Sequence, residues 1–140
     1  TTALDVTVQA QILELLKDIQ RETQMAILLI THDLGIVAGV ADKVVVMYAG
    51  RVFEEGPVER IFDHSEHPYT RALLKSTPRI DITQDKIPVI GGSIPDLSQV
   101  KSGCPFAERC GYRKPICNEE FPKVRAISNT HETFCHVENL

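Results

Sequence analysis

The sequence predicts an α/β fold followed by a small, loop-rich, cysteine-containing appendage, and three observations carry that prediction. From Val8 onward, Ile12, Leu15, Leu16 and Ile19 recur at helical spacing, while Gln11, Glu14, Lys17, Asp18 and Glu22 fill the other face. The run "MAILLI", residues 25–30, is short, continuously apolar and rich in β-preferring Ile. That is the pattern of a strand buried on both faces, as in a parallel sheet. Beyond Ser76 the texture changes: prolines fall at intervals too short for long elements, and "IGGSIPDL" is turn chemistry.

Helix followed by buried strand is half of a βαβ unit. The strand ends in "THDLGIVAGVADK", so His32 stands just past its carboxyl end, where open α/β sheets gather ligand-binding residues. A second helix is expected over about residues 34–41. "KVVVMYAGRVFEEG" then reads as two β-runs joined at Ala49-Gly50, a hairpin with a glycine turn. "PVERIF" and "HPYTRALLKS" read as short helices, the first opening near Pro57. Residues 77–140 can bury only a small core of their own, and such modules usually need a covalent or metal staple. All four cysteines lie there.

Composition removes several classes of function. Apolar residues at 43% and charged ones at 24% are globular values and argue against disorder. A net charge of −4 with no basic run argues against general nucleic-acid binding, which needs clustered cations. The longest apolar run is far short of the roughly 20 residues that cross a bilayer. The first residues, "TTALDVTVQAQ", show neither the basic nor the apolar region of a secretion signal.

"TTALD" before a helix, then the apolar run, "THD" and a hairpin containing "MYAGRVFEEG" resemble the second half of the ATPase subunit of an ATP-binding-cassette transporter. "HSEHPYTRALLKS" and the tail "GCPFAERC" with its two later cysteines resemble the C-terminal extension of the oligopeptide and dipeptide importer subgroup, which includes nickel importers. The resemblance divides the chain into residues 1–76, the C-terminal part of the P-loop ATPase domain, and residues 77–140, the importer-type extension. It implies ATP and Mg as cofactors of the whole subunit. It also implies a second ATPase subunit, transmembrane permeases and, indirectly, a peptide-binding protein as partners, at the cytoplasmic face of a bacterial inner membrane. The sequence holds no G-x-x-x-x-G-K-[ST] and no Leu-Ser-Gly-Gly-Gln, so the chain by itself is expected to be inactive. A stand-alone metal-binding interaction module is the reading from a different class.

By the same resemblance His32 is the switch histidine at the ATP γ-phosphate and Asp5 belongs to the loop that meets the partner ATPase. Both have structural readings. Thr31 or Asp33 can cap a helix beside His32, and Asp5 can cap the first helix and complement its dipole. The "HPYT" segment reads as a turn and helix start with no chemistry assigned. His64, His131 and His136 read as surface residues, of which only His136, beside Cys135, could assist a metal.

Cys104, Cys110, Cys117 and Cys135 are spaced C-x5-C-x6-C-x17-C. Four cysteines allow three disulfide pairings, but the absence of an export signal and the likeness to a cytosolic ATPase argue against them. Unpaired thiols favour apolar cores over loop-rich tails. A four-thiolate metal site is therefore expected. Zinc sites bring tighter ligand pairs, and the spacing matches neither common ferredoxin pattern, so zinc and an iron–sulfur cluster both remain open on chemistry. The resemblance implies a [4Fe-4S] cluster that staples the extension.

Overall fold

The computed structural model describes residues 6–77, 88–95, 102–138 and 140. It divides into two compact units, Thr1–Asp33 and Leu34–Leu140. The first unit holds α1, Val6–Thr23. The helix stops where Gln24 takes a left-handed backbone, φ 56°, while its N–H still donates to the Gln20 carbonyl. The apolar stripe that predicts α1 is exposed at Val8, Ile12, Leu15 and Ile19.

One expectation fails here. Residues 25–30 form no strand, and Leu28 and Ile30 are each 89% exposed. An apolar run of this length fixes no conformation by itself, since a strand exists only through hydrogen bonds to a neighbour. Among the described residues none pairs with it.

The second unit begins with α2, Leu34–Val40, followed by β1, Lys43–Tyr48, and β2, Arg51–Pro57. The turn between the strands has positive φ at both central residues, 49° at Ala49 and 74° at Gly50. Positive φ at both positions is the requirement of the type I′ hairpin turn, whose twist matches the flanking strands. α3, Val58–Asp63, follows β2 directly, and Pro57 at its N-cap position ends the strand. α4, Pro68–Lys75, starts with proline at its first position, where a missing N–H costs nothing, and is capped by His67.

Toward the C-terminus come two short 3-10 turns, Ala107–Arg109 and Pro115–Asn118, then β3, Arg125–Ser128, and β4, His131–Thr133. β4 pairs antiparallel with β2, giving one four-stranded sheet in the order β1-β2-β4-β3. The sheet thus runs across the boundary expected at residue 76, and the tail adds two strands to the hairpin's sheet. A β2 edge left open would present unpaired N–H and C=O groups, and pairing with β4 satisfies them.

The core of this unit is aromatic. Tyr48, Phe53 and Phe106 are buried together, with Tyr69, Phe121, Cys104 and Cys110 packed around them. Tyr48 meets Phe106 edge-on at 5.5 Å, and Phe53 stacks on the His67 ring at 4.4 Å. Burying rings of this size contributes about 2 kcal/mol each, so one residue of the tail, Phe106, binds the tail to the hairpin. Arg109 reinforces the join. Its guanidinium donates to the Tyr48 hydroxyl at 3.0 Å and to the carbonyls of Gly91 and Ile90 at 2.7 and 2.9 Å.

Ala49 sits in a left-handed conformation that costs an L-residue roughly 1 kcal/mol and that Asn tolerates better. Ala49→Asn is therefore expected to raise stability by about 0.5 kcal/mol or more. Gly50→Ala is expected to lower it by about 1 kcal/mol through strain, because a Cβ there meets no neighbouring atom. Denaturant midpoints of the two variants check both signs.

Candidate functional site

Three of the cysteines lie on one self-bonded loop. The Cys104 N–H donates to the Cys117 carbonyl at 2.8 Å, and three-residue turns are closed by the N–H groups of Ala107, Cys110 and Arg113 on the carbonyls of Cys104, Ala107 and Cys110. Gly103 permits the closure. A Cβ at that position would stand 2.7 Å from the carbonyl oxygens of both Cys117 and Asn118, so only glycine lets the two backbone segments approach this closely. Cys135 arrives from elsewhere, two residues after the last residue of β4.

Each sulfur accepts a backbone N–H. Lys114 donates to Cys117 Sγ and Val137 to Cys135 Sγ, both at 3.4 Å, while Phe106 and Tyr112 supply Cys104 and Cys110. All four are free thiols, with Cys117 buried and the others partly buried. Burial pushes the Cys104 thiol up to about 11, and the thiols of Cys117, Cys135 and Cys110 add to the rise. Burial likewise raises Cys110 and Cys135. The four groups are near enough to oppose one another's ionisation, and a cation among them would remove that opposition. Among the described residues, however, no three His, Cys, Asp or Glu side chains stand in a group that could hold a single metal ion. His136 turns elsewhere: its Nε2 is paired with the Glu120 carbonyl at 3.2 Å.

The histidine expectations are partly corrected. His131 is 1% exposed, because it lies on β4 and its Nε2 bonds Glu54 Oε1 at 2.8 Å. Glu54 is itself fully buried on β2 and accepts two more bonds, from the N–H of Glu66 at 2.6 Å and of His67 at 3.2 Å. The "HPYT" histidine is structural. His67 Nδ1 accepts the Tyr69 N–H at 3.0 Å, capping α4, and the ring also bonds the Phe134 carbonyl. These buried polar residues escape sequence reading because each is polar on a short element.

His32 is exposed in the first unit, where the neighbouring Asp33 N–H donates to Thr31 Oγ1 at 3.1 Å. Asp5 lies outside the described residues.

A family model described as oligopeptide/dipeptide transporter, C-terminal region, matches residues 53–117, from β2 to the third cysteine. That stretch is similar to this family, and the likeness to peptide-import ATP-binding proteins runs along nearly the whole chain. It is 50% identical to the dipeptide transport ATP-binding protein DppD of Bacillus subtilis over 139 residues, 99% of this chain and 42% of that protein. It is 45% identical over 141 residues to a protein of Brucella ovis named as a peptide import ATP-binding protein, covering 96% of this chain and 42% of the relative. A Brucella abortus protein so named is 50% identical over 122 residues, 87% of this chain and 37% of its own length. The chain thus spans well under half the length of the curated relatives it matches.

Burial lowers His67 from the ordinary value of 6.5 to about 3, against a smaller opposing effect of the Phe134 carbonyl. The unfolded chain binds this proton near 6.5 and the native ring refuses it until about 3. The contribution is therefore whole above the upper value and is lost as pH falls through the window, with a limiting slope of about 1.4 kcal/mol per pH unit. His67→Asn, which keeps a capping oxygen, is expected to flatten the stability profile between these limits by one proton. A profile unchanged by the substitution would assign the slope to other groups.

Proposed function

We propose that this chain is the C-terminal part of the ATP-binding, ATP-hydrolysing subunit that powers import of short peptides across a bacterial inner membrane. The observation that carries the reading is 50% identity to a dipeptide transport ATP-binding protein along 99% of the chain. The whole subunit would work at the cytoplasmic face, paired with a second ATPase subunit and seated on permeases fed by a peptide-binding protein. Among the described residues no helix is long and apolar enough to cross a membrane. In that assembly the apolar stripe of α1 and residues 25–30 would be covered by the rest of the ATPase domain. Functionally the chain would divide at residue 76 into ATPase part and importer-type extension.

ATP and Mg would be held mainly by loops that this sequence does not contain, since it carries no G-x-x-x-x-G-K-[ST]. His32 would lie beside the γ-phosphate, donating to developing charge and orienting water, and Asp5 would meet the partner ATPase. Cys104, Cys110, Cys117 and Cys135 would hold a [4Fe-4S] cluster. What supports it is the donor set: four thiols, each already accepting a backbone N–H, as sulfur ligands of clusters do. A tetrahedral zinc site is the alternative for the same four thiols. The importer-type resemblance favours the cluster. Bound there, it would supply a covalent staple between the cysteine loop and β4, and its binding free energy would be folding free energy.

Two expected outcomes follow. Anaerobically prepared chain should be brown and carry about four irons, with broad absorbance near about 400 nm. Changing any one of the four cysteines to Ser should abolish this, and a colourless protein with one zinc would favour the tetrahedral site. In the whole subunit His32→Ala should lower ATP turnover about 10²-fold, the scale of losing one transition-state donor. Wild-type turnover would leave His32 as a neighbour of a helix start.

A further inference from the structure

Three of the proposed ligands are organised by their own loop, whereas the fourth is held by β4 and by its neighbours, the Val137 N–H on its sulfur at 3.4 Å and the Lys114 ammonium on the His136 carbonyl at 2.9 Å. Cys135 depends on where β4 is held, and the ladder between β4 and β2 is short, with Glu54 opposite Thr133 and Glu55 opposite Glu132. Two pairs are a weak specification of register, and a one-residue slip turns every side chain of a strand to the opposite face. Such a slip would carry Cys135 away from the loop.

What holds the register lies beside the ladder. His131, at the start of β4, reaches across β2 to the buried Glu54 carboxylate at 2.8 Å. Gly56 leaves room for it, since a Cβ there would stand 3.0 Å from the imidazole. At the other end of β4, the Phe134 N–H donates to the Phe53 carbonyl at 2.8 Å, and the His67 ring bonds the Phe134 carbonyl. The Glu54 oxygens also hold the N–H groups of Glu66 and His67, so the carboxylate that fixes His131 fixes His67 too. Cys135 is the next residue after this clamp.

We infer that Glu54 and His131 are positioning residues for the four-thiol site: their buried pair sets the register of β4 and so delivers Cys135 to the loop bearing Cys104, Cys110 and Cys117. The inference rests on the proposal that the four cysteines bind one group. A consequence is that the hairpin and the metal site are coupled, because whatever loosens β2 withdraws one ligand of four.

The test uses the whole chain, prepared without oxygen, carrying His131→Ala, His131→Gln or Glu54→Gln. Iron per chain and its rate of loss to a chelator are read first. His131→Ala should release iron about ten-fold faster, the low end of what outer partners of metal ligands contribute. His131→Gln, which keeps an N–H donor for Glu54, should recover most of the loss, as a purely space-filling role would not require. Metal-stripped, reduced chain is then treated with dibromobimane, and cross-links from Cys135 to the other three cysteines are located by mass spectrometry. The cross-link yield should fall in His131→Ala and return in His131→Gln. Folded His131→Ala with wild-type iron retention and wild-type cross-linking would overturn the inference. Should wild-type chain bind no metal, the ligand reading fails while cross-linking alone still decides the positioning claim. Should His131→Ala not fold, Glu54→Gln decides: a smaller change in the same direction supports the inference, and no change overturns it.

Discussion

A carboxylate with no solvent exposure is the constraint around which the second unit is arranged. Glu54 can be buried only where its oxygens are hydrogen-bonded, and the chain supplies donors from the Glu66 and His67 backbone and the His131 ring. Those donors come from the segment entering α4 and from β4, so satisfying one side chain pulls both onto β2. Removing one partner of such a buried hydrogen bond commonly costs about 1–3 kcal/mol, because the other group is left unsatisfied. The pair is accordingly better understood as a specification of arrangement than as a source of net stability.

The aromatic core and the sheet complete what the carboxylate begins. Phe53, the residue before Glu54, stacks on His67 and packs with Tyr48 and Phe106, while its carbonyl accepts the Phe134 N–H. Polar and apolar contacts therefore converge on the same two residues of β2. This is why the tail shares a sheet with the hairpin: the same strand serves the hairpin on one edge and the tail on the other. It also gives the cysteines a rigid neighbour. In the proposed subunit, a cluster at these thiols would fasten a region already joined to the ATPase hairpin.

Local features were legible in the sequence. The glycine turn at Ala49-Gly50 and the proline-initiated helices follow from backbone restrictions that act over a few residues, and each appears where those restrictions place it. Residues 25–30 were misread because apolarity reports burial preference and not pairing, and among the described residues no strand lies against them. His131 was read as a surface residue because its partner is 77 positions away, and no pattern near position 131 announces a buried carboxylate. The four cysteines were visible as a set, but the N–H donors to their sulfurs and the close approach that Gly103 allows are properties of the folded loop. His67 shows the same limit: the helix start at Pro68 could be read from "HPYT", whereas the ring's cap and its bond to the Phe134 carbonyl could not.

The central claim is that β2 and β4 open together because Glu54 binds them. Native-state hydrogen exchange of the amides of Phe53 and Phe134, followed across sub-denaturing urea, tests it most directly. A single cooperative opening should expose both, with the same free energy and the same urea dependence. Exchange of Phe134 through a smaller opening, while Phe53 stays protected to the global limit, would show the tail detaching by itself and would contradict the account.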